Sequence, residues 1–379
     1  MSWNNIIGQE RAKKILQRAI LENKIPHAYC FWGLEGIGKD ALAIEFARTV
    51  NCLAPIRTAD TIDACGRCKS CVQSSSLQHP NIRLVFSLPS SGSNEDSPLM
   101  KLSDEQIQLI QEQIAQKAEN PYHNISIPKA TQILISVMRD LKKNLTMSAA
   151  QGGRRVIIIS EAHEMRMEAA NTFLKTLEEP HDDITFILTS SHREQLLDTI
   201  VSRCQQIQCD PLSDQEIAGA LIENFSVDPA EARLIASFAQ GSYSKATEFL
   251  DEDMKQLRND IVDLLRTSLK SGAYRIELLR RLGSFSEQKD RSRVELMLSL
   301  LLLWLRDAYA LAVTNKSSAV INGDQIETLE KFVSRFGRAD YPEILQQIEH
   351  SITLVRRNVQ LQLILMTVFL TCRRVFLAK

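Results

Sequence analysis

The sequence predicts an α/β domain built on a mostly parallel sheet, followed by a small helical block and a larger all-helical one. Three observations carry this. Up to about residue 208, short runs of β-branched and aromatic residues alternate with stretches of helical periodicity, as strands separated by crossover helices do. The first of these runs feeds into a glycine-rich loop that opens a helix. From about residue 253 no stretch carries a strand signal, and apolar residues recur at helical spacing to the end of the chain.

Strands are expected at residues 27–32, 82–86, 155–160 and 185–189. Helical stretches lie at 10–22, 41–50, 133–147 and 168–178, the last stopped by Pro180 after Glu178-Glu179. A long polar segment, residues 87–128, separates the second and third strands. Within it, Ser90-Ser91-Gly92-Ser93-Asn94 reads as a flexible loop. Ile107, Ile110 and Ile114 place a helix over 104–119. No chemistry follows from its residues. In the small helical block, Ser213 or Asp214 suits the N-cap of a helix over 216–224. In the last block, Leu361, Leu363, Ile364, Met366, Val368, Phe369 and Leu370 nearly encircle their helix, which is expected to be buried in a bundle or against other subunits. The domain boundaries expected are therefore 1–208, 209–252 and 253–379.

Composition narrows the function classes. Of 379 residues, 44% are hydrophobic and 24% charged, so a folded chain with a substantial core is expected. The formal net charge of −1 leaves no global basic field to draw the chain onto DNA, so any nucleic-acid role needs a local patch or partner subunits. Met1-Ser2-Trp3-Asn4-Asn5 lacks the layout of a signal peptide. The most apolar run, residues 296–305, is cut by Arg306 and Asp307 at about half of a ~20-residue membrane span, and is expected as a buried helix. A cytosolic protein without membrane partners is the expectation.

Gly33-Leu34-Glu35-Gly36-Ile37-Gly38-Lys39-Asp40 follows an apolar strand and opens a helix. Gly33, Gly36 and Gly38 let backbone N–H groups close around phosphates, and Lys39 would reach the outer phosphates. The pattern demands Ser or Thr after the lysine to ligate Mg²⁺, and here the position is Asp40. A carboxylate brings negative charge toward a polyanion, although it could hold the metal itself. The other half of an ATPase site would be an apolar strand ending in Asp-Glu. This chain offers Val156-Ile157-Ile158-Ile159-Ser160-Glu161, with Ser160 in place of the metal carboxylate. Two metal-binding positions are thus altered in one site, and ATP binding is expected to be weak or absent. A plain glycine-rich turn, and for Glu161 a helix-start acid, are the bland alternatives.

Cys65-Gly66-Arg67-Cys68-Lys69-Ser70-Cys71 sets three thiols in seven residues, and twelve residues lie between Cys52 and Cys65. Four thiolates meet the need of a closed structural Zn²⁺ site with no open position for water or substrate. A redox dithiol would not call for the third and fourth cysteines. Cys30, Cys204, Cys209 and Cys372 read as small buried hydrophobes.

Together these motifs resemble the clamp-loader branch of the AAA+ family, and within it the delta-prime subunits, over roughly the first 250 residues. Gly8-Gln9-Glu10 and Pro26-His27-Ala28-Tyr29 are similar to the family's opening. The stretch from Ala169-Ala170-Asn171-Thr172-Phe173-Leu174 through Lys175-Thr176-Leu177-Glu178-Glu179-Pro180 is close to its most recognisable segment. Phe186-Ile187-Leu188-Thr189-Ser190 and Ser202-Arg203-Cys204 follow. The resemblance implies a P-loop AAA+ domain, a helical lid and a helical collar that closes a ring of subunits. It also implies that Arg203 is an arginine finger reaching ATP bound by the adjacent subunit. A planar, permanently charged guanidinium suits phosphate oxygens; an internal salt bridge is the alternative. The position of the second sensor arginine holds Ser244, with Lys245 beside it. The partners implied are the gamma/tau and delta subunits, and the sliding clamp and primer-template DNA through the assembled complex. Three rival readings stand beside this one. The gamma/tau motor should keep the magnesium ligands, a Holliday-junction-type AAA+ helicase needs an intact site, and a zinc scaffold unrelated to replication would not join the ring.

Overall fold

A computed structural model describes residues 2–89, 102–145, 152–179, 183–250, 254–272, 274–287, 291–314, 320–356 and 359–378. The expected Ser90–Asn94 loop, Met147 and Pro180 lie outside the described residues. Contacts divide the chain into two compact units, residues 1–227 with 239–245, and residues 228–238 with 246–379.

The first unit begins with α1 (Glu10–Leu21), β1 (Ala28–Trp32) and α2 (Lys39–Val50), then a small hairpin of β2 (Ile56–Arg57) and β3 (Ile62–Asp63) and the short α3 (Lys69–Ser75). There follow β4 (Ile82–Val85), α4 (Asp104–Glu119), α5 (Ile135–Leu145), β5 (Arg155–Ile159), α6 (Met167–Glu178), β6 (Ile184–Ser190), α7 (Asp198–Val201), β7 (Gln205–Gln208) and α8 (Asp214–Phe225). β4, β5, β6, β1 and β7 form one parallel sheet in that order. β1 and β6 lie inside it, and Ala28, Tyr29, Cys30, Phe31, Phe186, Ile187 and Leu188 are all essentially inaccessible. Such unbroken apolar runs are what strands covered by helices on both faces require. The four expected strands are present to within a residue or two at each end.

β7 escaped the sequence reading. Of Gln205-Gln206-Ile207-Gln208 only Ile207 is buried, so this edge strand has neither alternation nor an apolar run to betray it; its pairing with β1 makes it a strand. α4 spans the residues expected of it. Its start is a capping box, Ser103 accepting from the backbone N–H of Gln106 while the Gln106 side chain accepts from the Ser103 N–H. α8 opens the same way, with Ser213 as N-cap and Glu216 reciprocating.

α9 (Pro229–Ala239) and α10 (Tyr243–Glu248) carry the chain from one unit to the other. The second unit continues with α11 (Met254–Leu269), α12 (Tyr274–Glu287), α13 (Arg291–Thr314), α14 (Ile326–Phe336), α15 (Tyr341–Arg356) and α16 (Leu361–Phe376). α13 runs through its core, with Leu298 and Leu305 fully buried. It is long and apolar enough to cross a membrane by composition, yet 67% of its apolar stretch is buried within the protein. Phe332, Phe336, Tyr341 and Phe376 join α14, α15 and α16 through ring contacts of 4.9 to 5.5 Å. Buried Asp307 accepts from the backbone N–H groups of Ile321 and Asn322, satisfying a loop that would otherwise bury bare donors.

Behind the sheet, the Phe173 ring of α6 meets that of Phe186 edge-on at 5.2 Å, and both are 1% exposed. We expect Phe173→Ala to destabilise the first unit by about 3–5 kcal/mol, because the lost ring contacts leave a cavity that a sheet cannot collapse to fill. Urea unfolding followed by circular dichroism measures it.

Candidate functional site

The glycine-rich loop lies at the carboxyl end of the inner strand β1, beside the ends of β5 and β6, where open parallel sheets place their ligands. α2 starts at Lys39 with Gly38 as N-cap at φ 99°, a conformation that needs glycine. Gly36, at φ 74°, accepts backbone N–H bonds from Tyr243 (3.0 Å) and Ser244 (3.3 Å). A side chain on Gly36 would run into Ser242 Oγ. Gln9 braces the other side. Its amide donates to Ile37 O (3.3 Å) and Asp210 O (2.6 Å), and it accepts from Asp210 N–H (3.1 Å).

Lys39 is 4% exposed, and its ammonium is engaged by its own surroundings. It donates to Gly33 O (3.1 Å), Leu34 O (2.9 Å) and Ser191 Oγ (3.0 Å), with Glu161 Oε1 at 3.4 Å. Glu161 is held in turn by Ser191 N–H (2.7 Å), Ser191 O–H (2.9 Å) and His163 (3.3 Å). Burial alone would raise the Glu161 carboxyl. His163, Lys39 and the Ser191 donors outweigh it and bring the value down to about 2. The residue standing where a catalytic base would be is thus a fixed anion, locked to the lysine of the loop.

Asp40 and Ser160, the two altered positions, touch. Ser160 O–H donates to Asp40 Oδ2 at 2.7 Å, and Thr189 O–H at the end of β6 donates to Oδ1 at 2.7 Å. The Lys117 ammonium from the end of α4 completes the group at 2.6 Å from Oδ2. Burial penalises the Asp40 charge, but Lys117 and the hydrogen bonds prevail and hold the carboxyl below its usual range. Lys117 also donates to His123 O (2.7 Å), closing the turn after α4. That turn lies on the loop. The Tyr122 ring stands 3.0 Å from where a Cβ on Gly38 would be, and its hydroxyl accepts from Ile7 N–H at 2.8 Å. Tyr122 O accepts from Ser244 Oγ at 2.7 Å, and Asn124 donates to Glu35 at 2.6 Å. The space left among Gly36, Gly38, Lys39, Asp40, Lys117 and Tyr122 is about 30 Å³. That holds about two waters; small-molecule sites usually offer roughly 300 Å³ or more. A polar cavity of about 340 Å³ lies beside it, among Ser87, Ser126, Glu161, His163, Glu164 and His192.

Cys52, Cys65, Cys68 and Cys71 converge with all four sulfurs within 4.8 Å of one another. The shorter separations are 3.5 Å (Cys52–Cys71), 3.9 Å (Cys65–Cys71) and 4.0 Å (Cys52–Cys68). A tetrahedral ion with metal–sulfur bonds of ~2.3 Å requires edges of ~3.8 Å, so the donor set fits a metal. Cys52 follows the end of α2, Cys65 follows β3, and Cys68 caps α3 with its sulfur accepting from Cys71 N–H. Ser70 donates to Asn51 O at 2.6 Å and fastens α3 to the end of α2. Burial and the adjoining sulfurs push the Cys71 thiol up to about 12, whereas backbone N–H donors hold the Cys65 and Cys68 thiols below the usual thiol range.

Arg203 follows α7, well exposed. Its guanidinium donates to Thr199 O (2.9 Å) and pairs with Glu178 Oε1 at 3.0 Å, the two side chains being 38% and 52% exposed. The internal ion pair weighed from the sequence is therefore present, but at the surface, where such pairs contribute only ~0–1 kcal/mol and exchange readily.

The site holds four residues that the sequence reading did not single out: Lys117, Tyr122, Thr189 and Ser191. Lys117 and Tyr122 sit in the segment to which no chemistry could be assigned, 77 and 82 positions after Asp40. The one available signal was indirect, since a carboxylate at position 40 of a buried loop must find a cation somewhere.

A family model described as DNA polymerase III, delta subunit, matches residues 8–213, more than half of the chain. The delta' subunit of DNA polymerase III from Bacillus subtilis (strain 168) is 26% identical over 323 residues, 84% of this chain and 83% of that protein. The delta' subunit from Pseudomonas aeruginosa is 30% identical over 250 residues, 64% of this chain and 62% of that protein. The Bacillus subtilis tau subunit is 26% identical over 276 residues, 72% of this chain but 41% of that protein. Among solved structures, a DNA polymerase III gamma subunit-related protein from Thermotoga maritima is similar at a TM-score of 0.45 and 16% identity, covering 96% of this chain and 99% of that one. With its parallel sheet, its loop at the end of β1 and more than half its length matched, the chain belongs to the DNA polymerase III delta-subunit family.

Proposed function

We propose that this chain is a delta-prime-type stator of the DNA polymerase III clamp loader. It scaffolds the ring with gamma/tau and delta subunits in the cytoplasm and supplies Arg203 in trans to a neighbouring ATPase subunit. The sliding clamp and primer-template DNA are engaged through the assembled complex. Residues 1–208 are its AAA+ domain, 209–252 its lid and 253–379 its collar. One contrast carries this reading: the loop that would bind nucleotide is saturated by the chain's own side chains, whereas Arg203 stands at the surface. A motor subunit needs the opposite arrangement around its own loop.

Arg203 suits the finger role because its surface partner, Glu178, is easily exchanged for a stronger anion. A guanidinium delivered in trans contributes ~10³- to 10⁵-fold at the site it serves. Arg203→Ala should therefore silence one site of the reconstituted ring, lowering total ATPase and clamp loading while gel filtration shows normal assembly. Undiminished ATPase in that ring would count decisively against the finger.

The cysteine group we assign to structural Zn²⁺, held by Cys52, Cys65, Cys68 and Cys71, with no open coordination position. The ion would supply no chemistry; it would tie α3 and the β2–β3 hairpin to the end of α2. Metal analysis should find about one equivalent per chain. Cys68→Ser should lose it and lower the melting temperature, since ligand binding free energy here is folding free energy.

Leu363 and Leu370 on α16 and Leu377 at its C-cap recur every seven residues and are 59%, 39% and 38% exposed. Such a stripe suits the helix packing of a collar. We expect Leu370→Arg to leave the monomer's circular dichroism and melting unchanged while weakening its incorporation into the ring on gel filtration.

A further inference from the structure

We propose that α4 and the turn after it are a resident plug of the nucleotide site, in which the Lys117 ammonium occupies the electrostatic place of a divalent cation and Tyr122 covers the phosphate loop. The inference concerns this pocket alone and does not depend on the role of Arg203.

The exchange of residues is reciprocal. A working site sets a hydroxyl on the loop and a carboxylate at the strand end, both facing one metal ion. Here the carboxylate is on the loop (Asp40) and the hydroxyl at the strand end (Ser160), still 2.7 Å apart. The charge of the pair is conserved, and so is its need for a cation. Lys117 meets that need at 2.6 Å, with side-chain exposures of 4% and 12% for Lys117 and Asp40. An ammonium is tethered and always present, so no metal ion has to be captured. Mg²⁺ and a triphosphate do not fit the residues as they stand: the pocket is about 30 Å³, the loop lysine is saturated, and an aromatic ring lies on Gly38.

The plug is also fastened. Ile7, the loop residues Glu35 and Asp40, and Ser244 hold it by hydrogen bonds or an ion pair from three parts of the first unit. It therefore ties the loop, the N-terminal segment and the residues after α9 into one body without nucleotide. In a nucleotide-dependent relative the ligand itself would have to make those links. The segment without assignable chemistry in the sequence thus acquires a task, holding permanently the arrangement that nucleotide would impose.

Binding of a fluorescent ATP analogue with Mg²⁺ to the full-length chain tests this. The wild type should show no saturable binding. Asp40→Thr with Ser160→Asp restores the order of metal ligands yet keeps a carboxylate for Lys117, and should bind no better. Adding Lys117→Ala and Tyr122→Ala to that pair should tighten binding at least tenfold. Equal binding with and without the last two substitutions overturns the plug, as does a folded fourfold variant that still fails to bind. Should the fourfold variant not fold, unfolding midpoints decide. Lys117→Met should lower the urea midpoint, and adding Asp40→Asn should recover more than half of the loss. A Lys117→Met protein as resistant to urea as the wild type overturns the ion pair on which the proposal stands. These readouts use the isolated chain, so their failure is separate from failure of the Arg203 experiment in the assembled ring.

Discussion

A carboxylate buried at the mouth of a glycine-rich loop cannot stay ionised without a counter-charge, and this requirement organises the first unit of the protein. Asp40 lies where backbone amides and a lysine are usually arranged to receive phosphate. Its charge is satisfied by Lys117, Ser160 and Thr189, drawn from three separate segments. Removing one partner of a buried pair typically costs ~3–5 kcal/mol. The ends of β5 and β6 and the end of α4 are therefore tied together at a point that many P-loop proteins leave open for ligand. A second pair, Lys39 with Glu161, lies beside it and consumes the remaining cation of the loop.

The consequence is a division of labour within one fold. The glycine-rich loop at the carboxyl ends of the strands is neutralised by the chain's own side chains. Two features take no part in this neutralisation: Arg203 after α7 in the first unit, and the leucine stripe of α16 in the second. Both are exposed, and neither is needed to complete its own unit's core. A residue in a weak surface ion pair can be recruited by a partner at small cost, whereas Lys39 cannot leave its buried ring of acceptors.

The cysteine group fits the same logic. The segment from Cys52 to Ser75 contains only a two-residue-per-strand hairpin and a seven-residue helix, far too little apolar surface to order itself. Within it the four sulfurs converge to within 4.8 Å of one another, a donor set that could hold a metal ion.

Much of this was legible in the residues themselves. Apolar runs such as residues 156–159 and 186–188 read as strands, Ser213 or Asp214 suits a helix start, and the spacing of four cysteines suits a metal-ligating set. These signals are local, because periodicity, capping and short ligand spacings act over a few residues. The altered positions Asp40 and Ser160 were visible too, though only as defects. Tertiary structure alone decided that they form one compensated unit, since the ammonium that completes it comes from 77 residues away through a segment with no motif. It likewise decided that Gln205–Gln208 is a strand, because its neighbour β1 provides the pairing that its own side chains do not advertise. Electrostatic compensation and edge pairing depend on proximity in space, which a linear pattern does not record.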